Sequence, residues 1–221
     1  MCAGHTNRNG TDMKQIARVG IFLLTMVLFS FGAPVRAATA PDGPVASQLV
    51  RNFYTQLLDT MKQGEKLGFE GRFKKLEPVV KGTFDLPLMA RFAVGPSWSQ
   101  AQPNEQQRIV DAFSEFSVAN YASRFVKFDG EKFDVLGEKP ANNGGFIVET
   151  VLTPTNGDSV ALNYLVRADG TGQLRIVDVY LDASISELAV RRSEFSAIVR
   201  RDGFGALIAT LGEKSRKMGS T

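Results

Sequence analysis

"GFIVETVLTPTNGDSVALNYLVRADGTGQLRIVDVYL", Gly145 to Leu181, holds three runs rich in Val, Ile, Leu and Tyr. Turn-forming residues at Asn156–Asp158 and Asp169–Gly172 separate them, which predicts strands joined by tight connections. Connections this short join antiparallel neighbours. "KFDVLG", Lys132 to Gly137, reads as a fourth strand across the turn Asn142–Gly145. In the run from Ser159 to Arg167, alternation puts Val160, Leu162, Tyr164 and Val166 on one face. Ala161, Asn163, Leu165 and Arg167 take the other.

On both sides of this meander the period changes from 2 to about 3.6. Leu49, Val50, Phe53, Tyr54, Leu57, Leu58 and Met61 share one helical face, which Gly64 and Gly68 end. Phe73, Leu76, Val79 and Val80 form a second, shorter pattern closed by Gly82. In "FDLPLMARFAVGPSWSQ", Phe84 to Gln100, Asp85 suits an N-cap and Pro87 a first helical turn. Leu86, Met89, Ala90 and Ala93 then share a face, Leu88 and Phe92 a neighbouring one, and Gly95-Pro96 stops the helix. A long helix follows Pro103, with Ile109, Val110, Phe113, Phe116, Tyr121 and Phe125 on a broad apolar stripe. Beyond the strands, Ile185, Leu188, Phe195, Ile198 and Val199 give one helical pattern and Phe204, Leu207, Ile208 and Leu211 another, broken at Asp202-Gly203. Helices, a meander and helices again predict an α+β fold, with helices covering one face of a twisted antiparallel sheet of about four strands.

The N-terminus reads differently. Lys14 and Arg18 precede an apolar run from Val19 to Gly32, followed by small residues at Val35/Ala37 and Ala38/Ala40. This is the pattern of a secretory signal peptide over residues 1–40, cleaved after Ala37 or Ala40, with Met13 as an alternative start. An uncleaved anchor would need roughly 20 apolar residues to span a bilayer. The expected product is one domain, residues 41–221, exported to the periplasm. Cys2 and His5 are the chain's only cysteine and histidine, so that domain has neither. Thiolate nucleophiles, histidine bases and His/Cys metal sites are thereby excluded from it. The whole chain carries +3, but Arg8, Lys14, Arg18 and Arg36 against Asp12 account for that excess. The remainder is near neutral, which gives no support to a nucleic-acid partner.

"FDLPLMARFAVGPSWSQAQPNEQQRIVDAFSEF" with the downstream Tyr121 resembles the signature of the MlaC/toluene-tolerance family of periplasmic lipid-binding proteins. The shared pattern is a helix entering a Gly-x-x-Trp turn, then a helix carrying Phe-x-x-Phe. "RIVDVYLDASISELAVRRSEFSAIVRRDGFGALIATL" resembles the same family's last strand, Ser-containing turn, Arg-x-x-Phe helix and closing Gly-x-x-x-Leu-Ile helix. The likeness covers residues 45–215. Within the family, "DASISELAVRRSEF" is closer to the hopanoid-associated HpnM branch. The phospholipid branch usually has Gly-Val-Ser after the last strand, where this chain has Ala183-Ser184-Ile185.

The resemblance implies a monomeric carrier that holds a phospholipid or hopanoid in an apolar cavity between sheet and helices. It would move that lipid between an inner-membrane ABC transport complex and an outer-membrane lipoprotein or porin complex, with transient membrane-surface contact and no cofactor. The wall residues it implies are Leu86, Met89, Phe92, Phe113, Phe116, Tyr121, Val148, Leu162, Tyr164 and Ile176, with Leu152 beside Val148. Taken alone, such apolar stripes are packed core far more often than cavity wall. Trp98 reads as the pin of its turn, and Asp178, inside an apolar strand, as the partner of Arg191 or Arg192. Arg192 would lay its stem over the core, and Arg191, Arg192, Arg200 and Arg201 form a basic cluster split over more than one helical face. Two other readings stay open: an enzyme acting on an apolar substrate through Asp178, Asp134 or Tyr164, and a structural adaptor with a filled core.

Overall fold

A computed structural model describes residues 45–220. The signal segment expected over residues 1–40 lies outside them. The elements are α1 (Val45–Met61), α2 (Gly64–Thr83), α3 (Leu86–Val94), a 3-10 turn (Gly95–Gln100), α4 (Pro103–Arg124), β1 (Lys132–Pro140), β2 (Phe146–Thr153), β3 (Val160–Ala168), β4 (Leu174–Leu181), β5 (Ile185–Ser186) and α5 (Glu187–Gly219). The strands form one antiparallel sheet in the order β1-β2-β3-β4-β5. The expected α+β meander is present, and the two-residue β5 adds a fifth strand to the four that alternation marks. It is too short for a period to be read from sequence.

Local chemistry sets the helix limits. Asp85 caps α3, its carboxylate accepting from the Leu88 N–H at 3.1 Å. At α4 the Glu105 side chain accepts from the Gln102 N–H, part of a capping box behind Pro103. α5 bends at Gly203, whose φ of 82° and ψ of 177° interrupt the helix. Glu194 and Lys214 form an ion pair across that bend at 2.5 Å. A straight helix would hold residues twenty apart at roughly 30 Å, so α5 folds back on itself at Gly203.

The core lies between the helices and one face of the sheet. Phe53, Leu57, Leu76, Val80, Ile109, Phe195, Leu207 and Leu211 are fully buried. Hydrogen bonds fix helices to strands. The Asp85 N–H donates to the Ile176 carbonyl at 2.9 Å, tying the start of α3 to β4. Tyr54 of α1 bonds Thr150 of β2 at 2.6 Å, and the Thr150 hydroxyl donates in turn to the Leu162 carbonyl of β3. Since that hydroxyl has one proton, Tyr54 is the donor in the first bond. Beside it, Asn163 Oδ1 accepts from the Thr150 N–H, a side chain standing in for a ladder carbonyl. Among the described residues no helix is long and apolar enough to cross a membrane.

Candidate functional site: an apolar cavity with a basic rim

Between α2, α3, α4, the start of α5 and the inner faces of β2, β3 and β4 lies a cavity of about 290 Å³. Of the wall residues implied by sequence, seven line it: Leu86, Met89, Phe113, Phe116, Tyr121, Leu162 and Tyr164. Leu152 joins them. Three are placed elsewhere. Val148 and Ile176 are fully buried in the adjoining core and do not reach the void. Phe92 is 43% exposed on the outside of α3, with the Arg192 guanidinium 4.7 Å above its ring. The turn after α3 explains that stacking, because Gly95 leaves room where a Cβ would stand 3.3 Å from Arg192 Nε.

The register of β4 explains the substitution of strand residues. Ile176 pairs with Val166 but Asp178 pairs with Leu165, so a bulge inserts one residue between them. Past the bulge the phase reverses. Val179 and Leu181, which strict alternation from Ile176 turns outward, line the cavity together with Asp178.

One side of the wall is an aromatic cluster. Phe53 meets Phe84, Tyr121 and Tyr164 edge-on at centroid distances of 5.3, 5.3 and 6.4 Å, and Tyr121 stacks on Phe125 at 5.8 Å. Such geometry suits the ring quadrupoles. Burial raises the Tyr121 and Tyr164 phenols well above the ordinary value and pushes Tyr54 up to about 12. All three are neutral hydroxyls in a dry environment.

Asp178 is buried, at 7% exposure, and its partners are neutral donors, not the Arg191 or Arg192 that sequence suggested. Its Oδ1 accepts from the Val179 and Leu188 N–H groups at 2.8 and 3.1 Å, and its Oδ2 from the Ser186 hydroxyl at 2.6 Å. Ser186 also caps α5, accepting from the Ala189 N–H at 2.9 Å. Asp178 therefore fastens the start of α5 to β4. Desolvation raises its pKa, and these three donors pull against that shift.

The remaining side is polar. Ser117, Asn120 and Arg124 line the cavity from α4, with Glu187 and Arg191 from α5. On α4 these polar residues share a face with Phe113, Phe116 and Tyr121, so a reading confined to apolar positions misses them. The i, i+3, i+4 spacing from Phe113 through Arg124 is the signal that could have found them. Arg191 lies over the Phe116 ring at 5.1 Å and pairs with Glu187 at 3.6 Å. The other arginines of the cluster go elsewhere: Arg200 to Ser196 and Arg201 to Asp202. Trp98 is half-buried against the core, and its carbonyl accepts from the Ala101 N–H and the Gln106 amide, both at 3.2 Å. It holds the turn into α4 and does not line the cavity.

No curated protein matches the chain significantly. Among solved structures, it is similar to a phospholipid-binding protein from Ralstonia solanacearum, determined in complex with a phospholipid. The TM-score is 0.68 at 22% identity, over 78% of this chain and 98% of the other. That likeness establishes the fold. The family model described as MlaC protein matches residues 51–213, from the first turns of α1 to the last turns of α5, and so takes in every element that lines the cavity. The chain belongs to the MlaC family.

Proposed function

We propose that this protein is a periplasmic lipid carrier, taking a membrane lipid into the cavity between sheet and helices and moving it between inner-membrane ABC transport machinery and the outer membrane. The observation that carries the reading is the cavity itself: a void walled by Leu86, Met89, Phe113, Leu152, Leu162 and Tyr164, beside a core in which Phe53, Leu57, Ile109 and Phe195 are fully buried. Empty apolar space destabilises a fold, and an apolar guest restores the missing contacts.

The energetics require such a container. A lipid crossing water exposes its chains at about 0.8 kcal/mol per methylene, on the order of 25 kcal/mol for two chains of roughly sixteen carbons. The volume of 290 Å³ is at the low end of the ~300–1,000 Å³ usual for enclosed small-molecule sites. Admitting a two-chain lipid therefore requires the wall to spread. Met89 supplies an adaptable thioether to the wall. The bound Ralstonia solanacearum relative and the family membership support the same reading.

Native mass spectrometry of the purified protein, followed by organic extraction, tests it. One lipid per chain is expected, and Leu162→Trp, which fills the void, should abolish it. A protein that takes up no lipid from vesicles refutes the carrier. Turnover of an apolar substrate that vanishes in Asp178→Asn would favour an enzyme instead.

A further inference from the structure

The sheet has a second face, turned away from the helices. In β2, β3 and β4 the apolar side chains that alternate away from core and cavity are Ile147, Val151, Ala161, Leu165, Val177 and Tyr180. The register sets them side by side: Ile147 pairs with Leu165, Val151 with Ala161, and Tyr180 with Asn163. Residues paired across an antiparallel ladder share a face. None of the six belongs to the core cluster or packs against it, and none lines the cavity. Val177 is nonetheless buried, at 6% exposure, so apolar packing continues on this side of the sheet.

An antiparallel sheet covered on one side ordinarily alternates apolar-in with polar-out. β2, β3 and β4 instead carry apolar residues on both faces, the pattern of strands covered twice, while the buried helix side chains meet them from the core side alone. The charges on the bare face come in both signs. Lys139 pairs with Glu149 at 2.5 Å and Arg175 with Asp169 at 3.3 Å, and Asp134, opposite Val151, stands two residues from Lys132. Arg167 lies opposite Arg175, its Nε donating to the Gly144 carbonyl. Such balanced charge gives an anionic bilayer little to attract. It suits a surface of the same mixed character, as in a two-fold contact where one patch meets its own copy. Four strands about 4.8 Å apart and about eight residues long cover roughly 500 Å² in projection, hence about 1,000 Å² for a pair of such faces. That is about the size at which specific association begins.

We propose that a second copy of this chain packs on the bare sheet face, sheet against sheet, giving a weak two-fold dimer in place of the monomer that the resemblance implies. Sheets packed this way stand about 10 Å apart with their facing side chains interdigitated. Leu165 and Val177, on the inner strands, would lie in the middle of the contact, with the charged pairs around them. The helices stay on the outside of such a dimer and the cavity is left as it is, so the inference does not depend on the carrier reading.

Sedimentation velocity of the purified protein from about 1 μM to about 1 mM tests it, with half-dissociation expected at roughly 10–100 μM for a contact of this size. Leu165→Lys sets a charge against its own copy and should weaken the dimer at least about hundredfold. Lipid retention should be unchanged in that variant, because Leu165 belongs to neither the core cluster nor the cavity wall. Should Leu165→Lys fail to fold, hydroxyl-radical footprinting of the unaltered protein makes the comparison without a substitution. Labelling of Tyr180 should fall as concentration rises, while that of Phe92, exposed on α3, stays constant. A protein that remains monomeric over the whole range, with Tyr180 labelled equally throughout, overturns the inference. So does a dimer that a folded Leu165→Lys leaves at full strength, since the contact then lies on another surface. Failure of the unaltered protein to retain lipid would refute the carrier and leave the dimer standing.

Discussion

On the aromatic side of the cavity, Phe53 is 1% exposed and rings meet it edge-on from the α2–α3 junction, α4 and β3, while the polar atoms there are spent internally. Tyr54 donates to Thr150, Thr150 to Leu162, and Asp178 takes up three donors. Along the rim, Arg124 and Arg191 sit on flexible stems, pair loosely or with a neutral amide, and line both the cavity and a recess beside it. The difference teaches where this fold places its stability and where it leaves binding capacity. Groups whose partners are all inside the chain hold the wall in place, and groups with open donors are available to something from outside.

Truncation on the packed side should cost most. Phe53→Ala removes a buried ring from the cluster and should lower stability by about 3–5 kcal/mol. Leu162→Ala, on the cavity face, should cost no more than about 2 kcal/mol, since one side of Leu162 already lacks neighbours. Urea midpoints at constant slope measure both. Equal losses would mean that Leu162 is packed core and that the void is not a working cavity.

Next comes Asp178. Asp178→Ala strands the Leu188 N–H, the Ser186 hydroxyl and part of the α5 cap, for an expected loss of about 3 kcal/mol. That corresponds to roughly 6–12 °C in Tm for a domain of this size. The sign of its pH dependence is separately testable. The folded-state pKa is raised above 3.8 by desolvation, so the native protein binds this proton more readily than the unfolded chain. Its contribution is therefore greatest below 3.8 and is lost as pH rises through the native value. Between those two values the slope of stability against pH should differ between the unaltered protein and Asp178→Asn. Identical slopes would show that Asp178 does not titrate in that window.

Much of this contrast was legible in the sequence, and its limits have physical causes. The helical stripe Phe113/Phe116/Tyr121 and the alternation at Leu162/Tyr164 put those side chains on the face that lines the cavity, because each element keeps its period. Ile176 and Val148 face inward but are fully buried beside the void, a difference that periodicity does not carry, while Val179 and Leu181 line it because the β4 bulge shifts the phase by one residue, and a bulge leaves no mark in a run of Val and Ile. Phe92 is misplaced because an aromatic on a short helix carries no sign of which side faces solvent, and the Arg192 that covers it lies a hundred residues away. The partners of Asp178 could not be read because two of its three donors are backbone N–H groups. The rim was visible only as scattered arginines until the reversal at Gly203 brought α5's second half back beside Arg191.

The turn between β4 and β5 should give a smaller effect of opposite sign. Asp182 and Ala183 have φ of 48° and 59°, and the Ser184 N–H closes the turn on the Leu181 carbonyl at 3.1 Å. This is a left-handed β-turn within the three-residue connection between the paired Leu181 and Ile185, and such turns favour glycine, Asn or Asp at their central positions. Asp182 tolerates it, but Ala183 carries a Cβ penalty of about 1–2 kcal/mol. Replacing Ala183 by Gly should raise stability by about 1 kcal/mol once the extra freedom of the unfolded chain is subtracted. Because the turn seats Ser186 against Asp178, the gain should disappear if Asp178 is first replaced by Ala and β5 no longer docks. A persistent gain would show that the turn folds independently of the wall.

The smallest stability effect should come from the rim. Arg124→Gln removes a cation that shares its recess with Arg191, Lys214 and Lys217 and pairs with no carboxylate among the described residues. The variant therefore loses mostly repulsion. Its stability should lie within about 0.5 kcal/mol of the parent and slightly above it at low salt. The Debye length falls from about 30 Å at 0.01 M to about 8 Å at 0.15 M, so the difference should vanish as salt is added. Chemical denaturation by urea, which leaves ionic strength unchanged, at both salt concentrations checks this. If Arg124→Gln instead costs more than about 1 kcal/mol at either concentration, Arg124 is a structural tie like Asp178, and the rim has no donor to spare for a ligand.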